Sequence, residues 1–150
     1  MIQARVTLTQ PQRSARQFVA TTGSGHHLLL DDNNGTTGPK PIELVAAALA
    51  GCTAFDVISI LRKQRQDVTA YDVFVEADQS PTPPAVFTLI RIRHMVTGHD
   101  IDPVLVERAV RLSNEKYCAV GNMLDHCAAI TTTYEIIAEK ASVEEFAMAD

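Results

Sequence analysis

The chain has 150 residues, of which 46% are hydrophobic and 21% are charged, and this is the composition of an ordinary globular protein. The formal net charge is −5, from 13 Lys and Arg against 18 Asp and Glu, and the chain contains no long basic run. Because nucleic acids and anionic membranes recruit concentrated positive charge, we expect neither as a partner. The length predicts a single domain over residues 1–150.

The N-terminal residues alternate between apolar and polar side chains and lack the apolar run of a signal peptide. Residues 44–61 approach membrane-spanning length, but they include Gly51, Cys52 and Asp56, which favours a buried helix of a soluble protein. Three cysteines, an odd number without an export signal, argue against a disulfide scaffold. We therefore predict a cytoplasmic protein.

The first predicted elements are three strands and a long helix. Residues 2–8 alternate like a strand, and residues 18–22 and 27–30 flank a Thr-Gly-Ser-Gly turn that is typical of a hairpin. After a polar loop, a helix is predicted from Pro41 to about Gln64. Its middle is apolar on almost every side, and such a helix must be covered on every face. A chain of this size would struggle to supply that cover, so we predict a homodimer.

Two strands, two helices and a last strand follow. Residues 71–77 alternate, and the next strand is predicted to bury one face made of Thr88, Ile90, Ile92, His94 and Val96. Asp102 with Pro103 predicts the start of a helix that runs to about residue 116. A shorter helix over about 120–128 and a strand with Ile130, Tyr134 and Ile136 complete the order. Because strands and helices do not alternate one for one, the predicted fold class is α+β.

Two cysteine motifs stand on these elements. Pro-Lys-Pro-Ile-Glu-Leu at residues 39–44 leads through an alanine-rich helix to Gly51-Cys52, and Glu-Lys-Tyr-Cys-Ala-Val occupies residues 115–120. In both motifs, and in the order of elements around them, the chain resembles the OsmC/Ohr family of thiol-dependent peroxidases. Residues 51–57, Gly-Cys-Thr-Ala-Phe-Asp-Val, are most similar to the less characterised OsmC-like branch of that family.

The resemblance implies an intertwined homodimer with cofactor-free active sites at the subunit interface. It implies that Cys52 is the peroxidatic thiol, which attacks an organic (alkyl or lipid) hydroperoxide and becomes a sulfenic acid. Cys118 would be the resolving thiol, which condenses with that acid to a disulfide, and a dithiol reductant would then open the disulfide. Apolar residues around Cys52 favour alkyl hydroperoxides over hydrogen peroxide.

The family supports its first cysteine with an arginine from the N-terminal strands, held by a glutamate just after the proline. Here Ile42 occupies the glutamate position and Glu43 follows it, while Arg16 is the nearest candidate for the arginine. Cys52 lies nine helical positions after Glu43, which corresponds to roughly 180° of rotation and about 13 Å of rise. Glu43 could therefore serve Cys52 only through a folded-back cation or from the partner subunit.

The charges around the two thiols are expected to differ. Cys118 precedes a helix, whose N-terminus favours a thiolate, whereas Cys52 lies in mid-helix and gains nothing from the helix dipole. Asp56 is one helical turn beyond Cys52, where its charge opposes a thiolate. Because a buried carboxylate is costly without a partner, we predict that Asp56 holds a cation, such as Arg16 or Lys116, beside the sulfur.

A metal site is not predicted. His126 and Cys127 are adjacent and would point about 100° apart, and the sequence has no Cys-x-x-Cys or His-x-x-x-His pair. Alternatives to the enzyme remain open: Cys52 as a small packing residue, Glu43 as a helix-dipole partner, a non-catalytic dimeric module that binds an apolar small molecule, or a thiol redox sensor.

Overall fold

The computed structural model describes residues 1–9, 16–31 and 37–139. The chain divides into two compact units, Met1–Ala47 and Ala48–Asp150. Helix α1 (Pro41–Lys63) begins in the first unit and ends in the second. Its bounds agree with the predicted helix from Pro41 to about Gln64.

The first unit carries a three-stranded antiparallel sheet in the order β1 (Ala4–Leu8), β2 (Phe18–Thr22) and β3 (His27–Leu30). The predicted hairpin between β2 and β3 is confirmed, and its turn is closed by Thr22 N–H donating to the carbonyl of His26 at 3.0 Å. Gly25 has φ +84° in this turn, a conformation that glycine adopts without strain. The first strand begins at Ala4, later than the alternation from Ile2 indicated.

The second unit is built on a mixed sheet in the order β4 (Asp67–Gln79), β5 (Phe87–His99) and β6 (Ala129–Ala138). Strands β4 and β5 are antiparallel, whereas β5 and β6 are parallel because the intervening chain crosses over through helices. The α+β class is confirmed, although the parallel pair was not predicted.

One face of β5 is buried by Ile90, Ile92, His94 and Val96, as the alternation predicted. Thr88 departs from this prediction because it is exposed, and Phe87 is buried instead. The pairing register with β4 shifts between Asp78 and Gln79, at this end of the strand pair. A bulge of this kind redirects the side chains beside it.

Helix α1 buries one stripe of the second unit's core with Leu49, Thr53, Val57 and Leu61 at i, i+4 spacing. Val57 and Leu61 join Val96, Val106, Ala109 and Val110 in one cluster. By length and composition α1 could cross a membrane, but this buried stripe identifies it as a core helix. Among the described residues, the other positions of the helix are partly buried or exposed, and Phe55 is 77% exposed.

The crossover consists of α2 (Pro103–Leu112), a π-helical turn (Ser113–Tyr117) and α3 (Ala119–Leu124). The predicted cap of α2 is confirmed, because Asp102 Oδ1 accepts from Val104 N–H at 2.8 Å and Pro103 takes the first helical position. Helix α3 ends at Leu124, before the predicted end near residue 128. The π-helical turn brings Cys118 to the start of α3, where its N–H donates to the carbonyl of Ser113 at 2.9 Å.

Candidate active site

Cys118 is the N-cap residue of α3 and is only 2% exposed. Its backbone is extended (φ −70°, ψ 98°), and its Sγ accepts from Gly121 N–H at 3.2 Å. A Cβ at position 121 would lie 3.2 Å from that Sγ, so glycine permits the close approach of backbone to sulfur. These contacts hold a buried thiol at the N-terminal end of a short helix.

Cys52 lies in the middle of α1 and is partly buried, and Asp56 follows one turn later on the same helical face. The sulfur atoms of Cys52 and Cys118 and a carboxylate oxygen of Asp56 all lie within 4.8 Å of one another. The cysteines are free thiols. The two sulfurs that the family motifs singled out are therefore neighbours within one chain.

The charge state of Cys118 differs from the expectation for a cysteine before a helix. Burial, followed by a smaller contribution from the hydrogen bond with Cys52, raises the pKa of the Cys118 thiol to about 11. The Gly121 N–H lowers the pKa and the Asp56 charge raises it, but both effects are smaller than burial. Cys118 is therefore a thiol at neutral pH, because desolvation outweighs the helix N-terminus.

Asp56 is held by a hydroxyl group. Ser113 Oγ donates to Asp56 Oδ2 at 3.1 Å, and Ser113 Oγ also pairs with Thr53 Oγ1 at 3.0 Å. Since Ser113 has one proton and gives it to the carboxylate, Thr53 is the donor to Ser113. Two buried hydroxyls therefore orient the carboxylate toward the sulfurs.

The cation predicted beside Asp56 is not found among the described residues of the second unit. Lys116 Nζ lies 5.4 Å from the ring centroid of Tyr117, and Lys63 lines the same surface pocket as Asp56 without an ion pair. Within this unit, Lys116 is therefore not the partner of Asp56.

A second buried polar pair lies in the same unit and was missed in the sequence. Tyr71 Oη and His94 Nδ1 are 2.7 Å apart, and the rings stack with an interplanar angle of 7°. Burial lowers the pKa of His94 to about 4, so the imidazole is neutral, and its buried Nε2 has no hydrogen-bond partner among the residues that the structure describes. Burial, with a smaller contribution from Asp56, raises the pKa of Tyr71 well above its usual range. A histidine at an inward position of β5 was the available signal.

A cavity of about 390 Å³ opens beside Cys118. Its apolar wall comes from Leu49, Ile92 and Ile130. Polar side chains complete the lining, namely Thr53, Asn114, Glu115, Asn122, Asp125 and Thr132. Cys118 therefore borders this cavity, although only 2% of the residue is exposed.

The first unit contains the other two predicted site residues. Glu43 Oε2 accepts from Lys40 N–H at 2.8 Å, as the third-position glutamate of a capping box does, and this supports its helix-end role. Arg16 lines a pocket of about 490 Å³ with Phe18, Leu30 and Asp31. Their action on Cys52 stays a prediction.

The sequence profile described as "OsmC-like protein" matches residues 32–145, which is more than half of the chain. The protein belongs to the OsmC family.

The chain is also similar to a relative from Escherichia coli and to two solved structures. Protein YhfA of Escherichia coli K12 is 44% identical over 121 residues, which cover 81% of this chain and 90% of YhfA. A hypothetical protein from Aquifex aeolicus VF5 superposes with a TM-score of 0.81 at 24% identity, over 93% of this chain and 98% of that one. The organic hydroperoxide resistance protein OhrB of Bacillus subtilis superposes with a TM-score of 0.60 at 17% identity, over 90% of this chain and 98% of OhrB. At these identities the two structures show the fold alone.

Proposed function

We propose that the protein is a thiol peroxidase that reduces organic hydroperoxides through Cys52 and Cys118. The observation that carries the proposal is the approach of the two sulfurs and the Asp56 carboxylate within 4.8 Å. The name of OhrB, which has the same fold, refers to organic hydroperoxide resistance and supports this substrate class.

In the first step, the Cys52 thiolate attacks the terminal oxygen of the hydroperoxide. An S–O bond forms, the O–O bond breaks, and the alkoxide leaves and takes up a proton to give an alcohol. Cys52 is the better candidate for this role because it is the more accessible of the two thiols, whereas Cys118 is buried and protonated.

In the second step, Cys118 attacks the sulfenic acid of Cys52, which forms the disulfide and expels hydroxide. The Cys118 thiol must lose its proton as it attacks, and the Asp56 carboxylate, which lies within 4.8 Å, would accept it through one water or after a side-chain rotation. The same proton then passes to the hydroxide, so that the products are a disulfide and water. Ser113 and Thr53 hold the carboxylate in place for this transfer.

In the third step, an external dithiol reduces the disulfide, and two sulfhydryl protons return to Cys52 and Cys118. The cavity of about 390 Å³ borders Cys118, so it offers the dithiol a route to this sulfur. Thiol–disulfide exchange needs direct access to one sulfur, which this route supplies.

The functional assembly is proposed to be a cytoplasmic homodimer. Phe55 is an apolar residue of the largely apolar helix α1, and it is 77% exposed. A second copy of the chain would remove this apolar surface from water. A partner subunit would also be the source of Arg16 and Glu43 near Cys52. Light scattering at micromolar concentration should give twice the chain mass, and Phe55→Glu should halve it; a folded wild-type monomer would contradict the assembly.

The experiment for the chemistry is trapping of the sulfenic acid with a dimedone-type probe after one equivalent of cumene hydroperoxide. The Cys118→Ser variant should be labelled at Cys52, since it cannot condense. The two roles would be reversed if Cys118 were labelled in the Cys52→Ser variant and Cys52 were not labelled in the Cys118→Ser variant. Cys127→Ser, which removes the exposed third cysteine, is the matched control and should behave as wild type.

The second candidate is a non-catalytic function on the same fold, either a small-molecule binding module or a redox sensor. The Asp56 charge and the raised pKa of Cys118 favour it, because both oppose rapid thiol chemistry. A protein that forms the Cys52–Cys118 disulfide once but does not turn over with any dithiol would support the sensor. A protein whose Cys52 resists oxidation would support the binding module.

A further inference from the structure

Three potential metal ligands converge at the two thiols. Cys52 and Asp56 stand at i and i+4 on one face of α1, and Cys118 reaches the same point from the start of α3. Side chains at this helical spacing can bind one ion together, as they do in helical His-x-x-x-His zinc sites. The sequence has no Cys-x-x-Cys or His-x-x-x-His pair, but Cys52-x-x-x-Asp56 offers the same i, i+4 spacing as the latter.

The ligand types fit a borderline-soft divalent cation. Zinc prefers thiolate with imidazole or carboxylate, usually in a tetrahedron with zinc–sulfur distances of about 2.3 Å, which separates two ligated sulfurs by about 3.8 Å. The present atoms lie within 4.8 Å of one another, so a contraction of about 1 Å by side-chain rotation closes the site. Calcium and magnesium are excluded because they require oxygen ligands.

The surroundings of these ligands are already arranged for bound metal. Gly121 N–H donates to Cys118 Sγ, and Ser113 Oγ donates to Asp56 Oδ2, so two of the three ligands have the second hydrogen bond that orients metal ligands. The sulfurs and the carboxylate face one another with no ion pair in the described part of the second unit. A dication would replace thiol protons and neutralise the cluster.

We propose that the reduced protein binds one Zn²⁺ per chain through Cys52 Sγ, Asp56 and Cys118 Sγ. The cavity beside Cys118 gives water access to the fourth position. Binding releases two thiol protons and leaves the sulfur oxidation state unchanged. Bound zinc occupies the lone pairs that attack peroxide, so zinc and peroxide compete for the same sulfurs. The inference concerns the same residues as the proposed peroxidase, but it requires no turnover.

The test uses the full-length reduced protein with Zn²⁺ and Co²⁺ as probes, under exclusion of air. Zinc titration against a chromophoric chelator should give one site per chain, and Co²⁺ should produce the absorption of a tetrahedral thiolate complex. Loss of either cysteine should weaken binding by at least about 100-fold, and Asp56→Asn should weaken it by roughly 10-fold. Cys127→Ser is the matched control and should bind as wild type.

A second measurement avoids the risk that a variant fails to fold. Diamide takes up two electrons and two protons as it becomes a hydrazine, and it should convert the two thiols of wild-type protein to the disulfide. That protein should lose its zinc, and a reducing phosphine should restore binding. Binding that survives oxidation, binding that depends on Cys127, or a Co²⁺ spectrum without thiolate absorption would each overturn the inference.

The outcomes separate zinc binding from peroxidase activity. Zinc binding with no hydroperoxide turnover would support the metal site while the peroxidase proposal fails. Turnover without a zinc site that depends on Cys52, Asp56 and Cys118 would reject the metal site and leave the peroxidase intact. If both hold, zinc should slow the oxidation of Cys52 in proportion to site occupancy.

Discussion

The two units of the chain differ in how far local contacts account for their charged side chains. In Met1–Ala47, Glu43 closes a helix end by accepting from Lys40 N–H, a role that needs nothing from the rest of the protein. In Ala48–Asp150, Asp56 lies with two thiols that come from different elements, and buried hydroxyls hold it there. The carboxylate at the helix start thus has a structural explanation, whereas the carboxylate one turn from a thiol requires a chemical one.

Cys52→Ser should lose nearly all peroxidase turnover. A serine hydroxyl is a far weaker nucleophile toward peroxide than a thiolate, so the rate should fall by about 1,000-fold or more. Consumption of cumene hydroperoxide with a dithiol reductant measures it. Cys127→Ser should keep the wild-type rate, and equal losses in both variants would contradict the assignment to Cys52.

The buried His94 should make the protein less stable in acid. Its pKa is about 4 in the folded state and near 6.5 when unfolded, so between these values the unfolded chain binds more protons. Stability is therefore lost as the pH falls from 6.5 to 4, by up to about 3 kcal/mol. Urea unfolding at pH 7 and pH 4.5 measures this loss in wild type and in His94→Asn.

The His94→Asn variant is a matched control because the asparagine oxygen can still accept from Tyr71, while the side chain does not titrate. Its stability should fall less between the two pH values. An identical fall in both proteins would show that other groups carry the acid sensitivity.

Asp56→Asn should slow formation of the Cys52–Cys118 disulfide by roughly 10-fold or more, because the variant loses the proton acceptor for Cys118. Stopped-flow oxidation by one equivalent of peroxide, followed by quench with a thiol alkylator, separates this step from the first. A variant that forms the disulfide faster than wild type would mean that the Asp56 charge only opposes the thiolate.

Glu43→Gln should have the smallest effect. Glutamine can also accept from the N-cap N–H, so the stability should change by less than about 0.5 kcal/mol. If Glu43 only caps the helix, peroxidase turnover should stay within about 2-fold of wild type. A large loss of turnover at unchanged stability would show that its charge serves Cys52, as the family resemblance implied.

Much of the fold was predictable because it depends on local patterns. The apolar run predicted α1, the Thr-Gly-Ser-Gly turn predicted the hairpin, and Asp102 with Pro103 predicted the start of α2. The parallel pairing of β6 with β5 was not predictable in this way, since strand pairing across a crossover depends on long-range packing.

The candidate site was likewise predictable only where it depends on local sequence motifs. The two cysteines were found from their motifs, but nothing in the sequence joined Ser113 to Asp56, because that contact spans 57 positions and depends on a π-helical turn. The pKa of Cys118 was misjudged for a related reason: the helix N-terminus is visible in the sequence, whereas the depth of burial is not.

The most direct test of the account is peptide mapping of the wild-type protein under non-reducing conditions after one equivalent of cumene hydroperoxide. We expect one cross-linked peptide pair that joins Cys52 to Cys118 within a chain, with Cys127 still alkylated as a free thiol. A disulfide that includes Cys127, or overoxidised Cys52 beside a free Cys118, would contradict the claim that the two neighbouring sulfurs work as one redox pair.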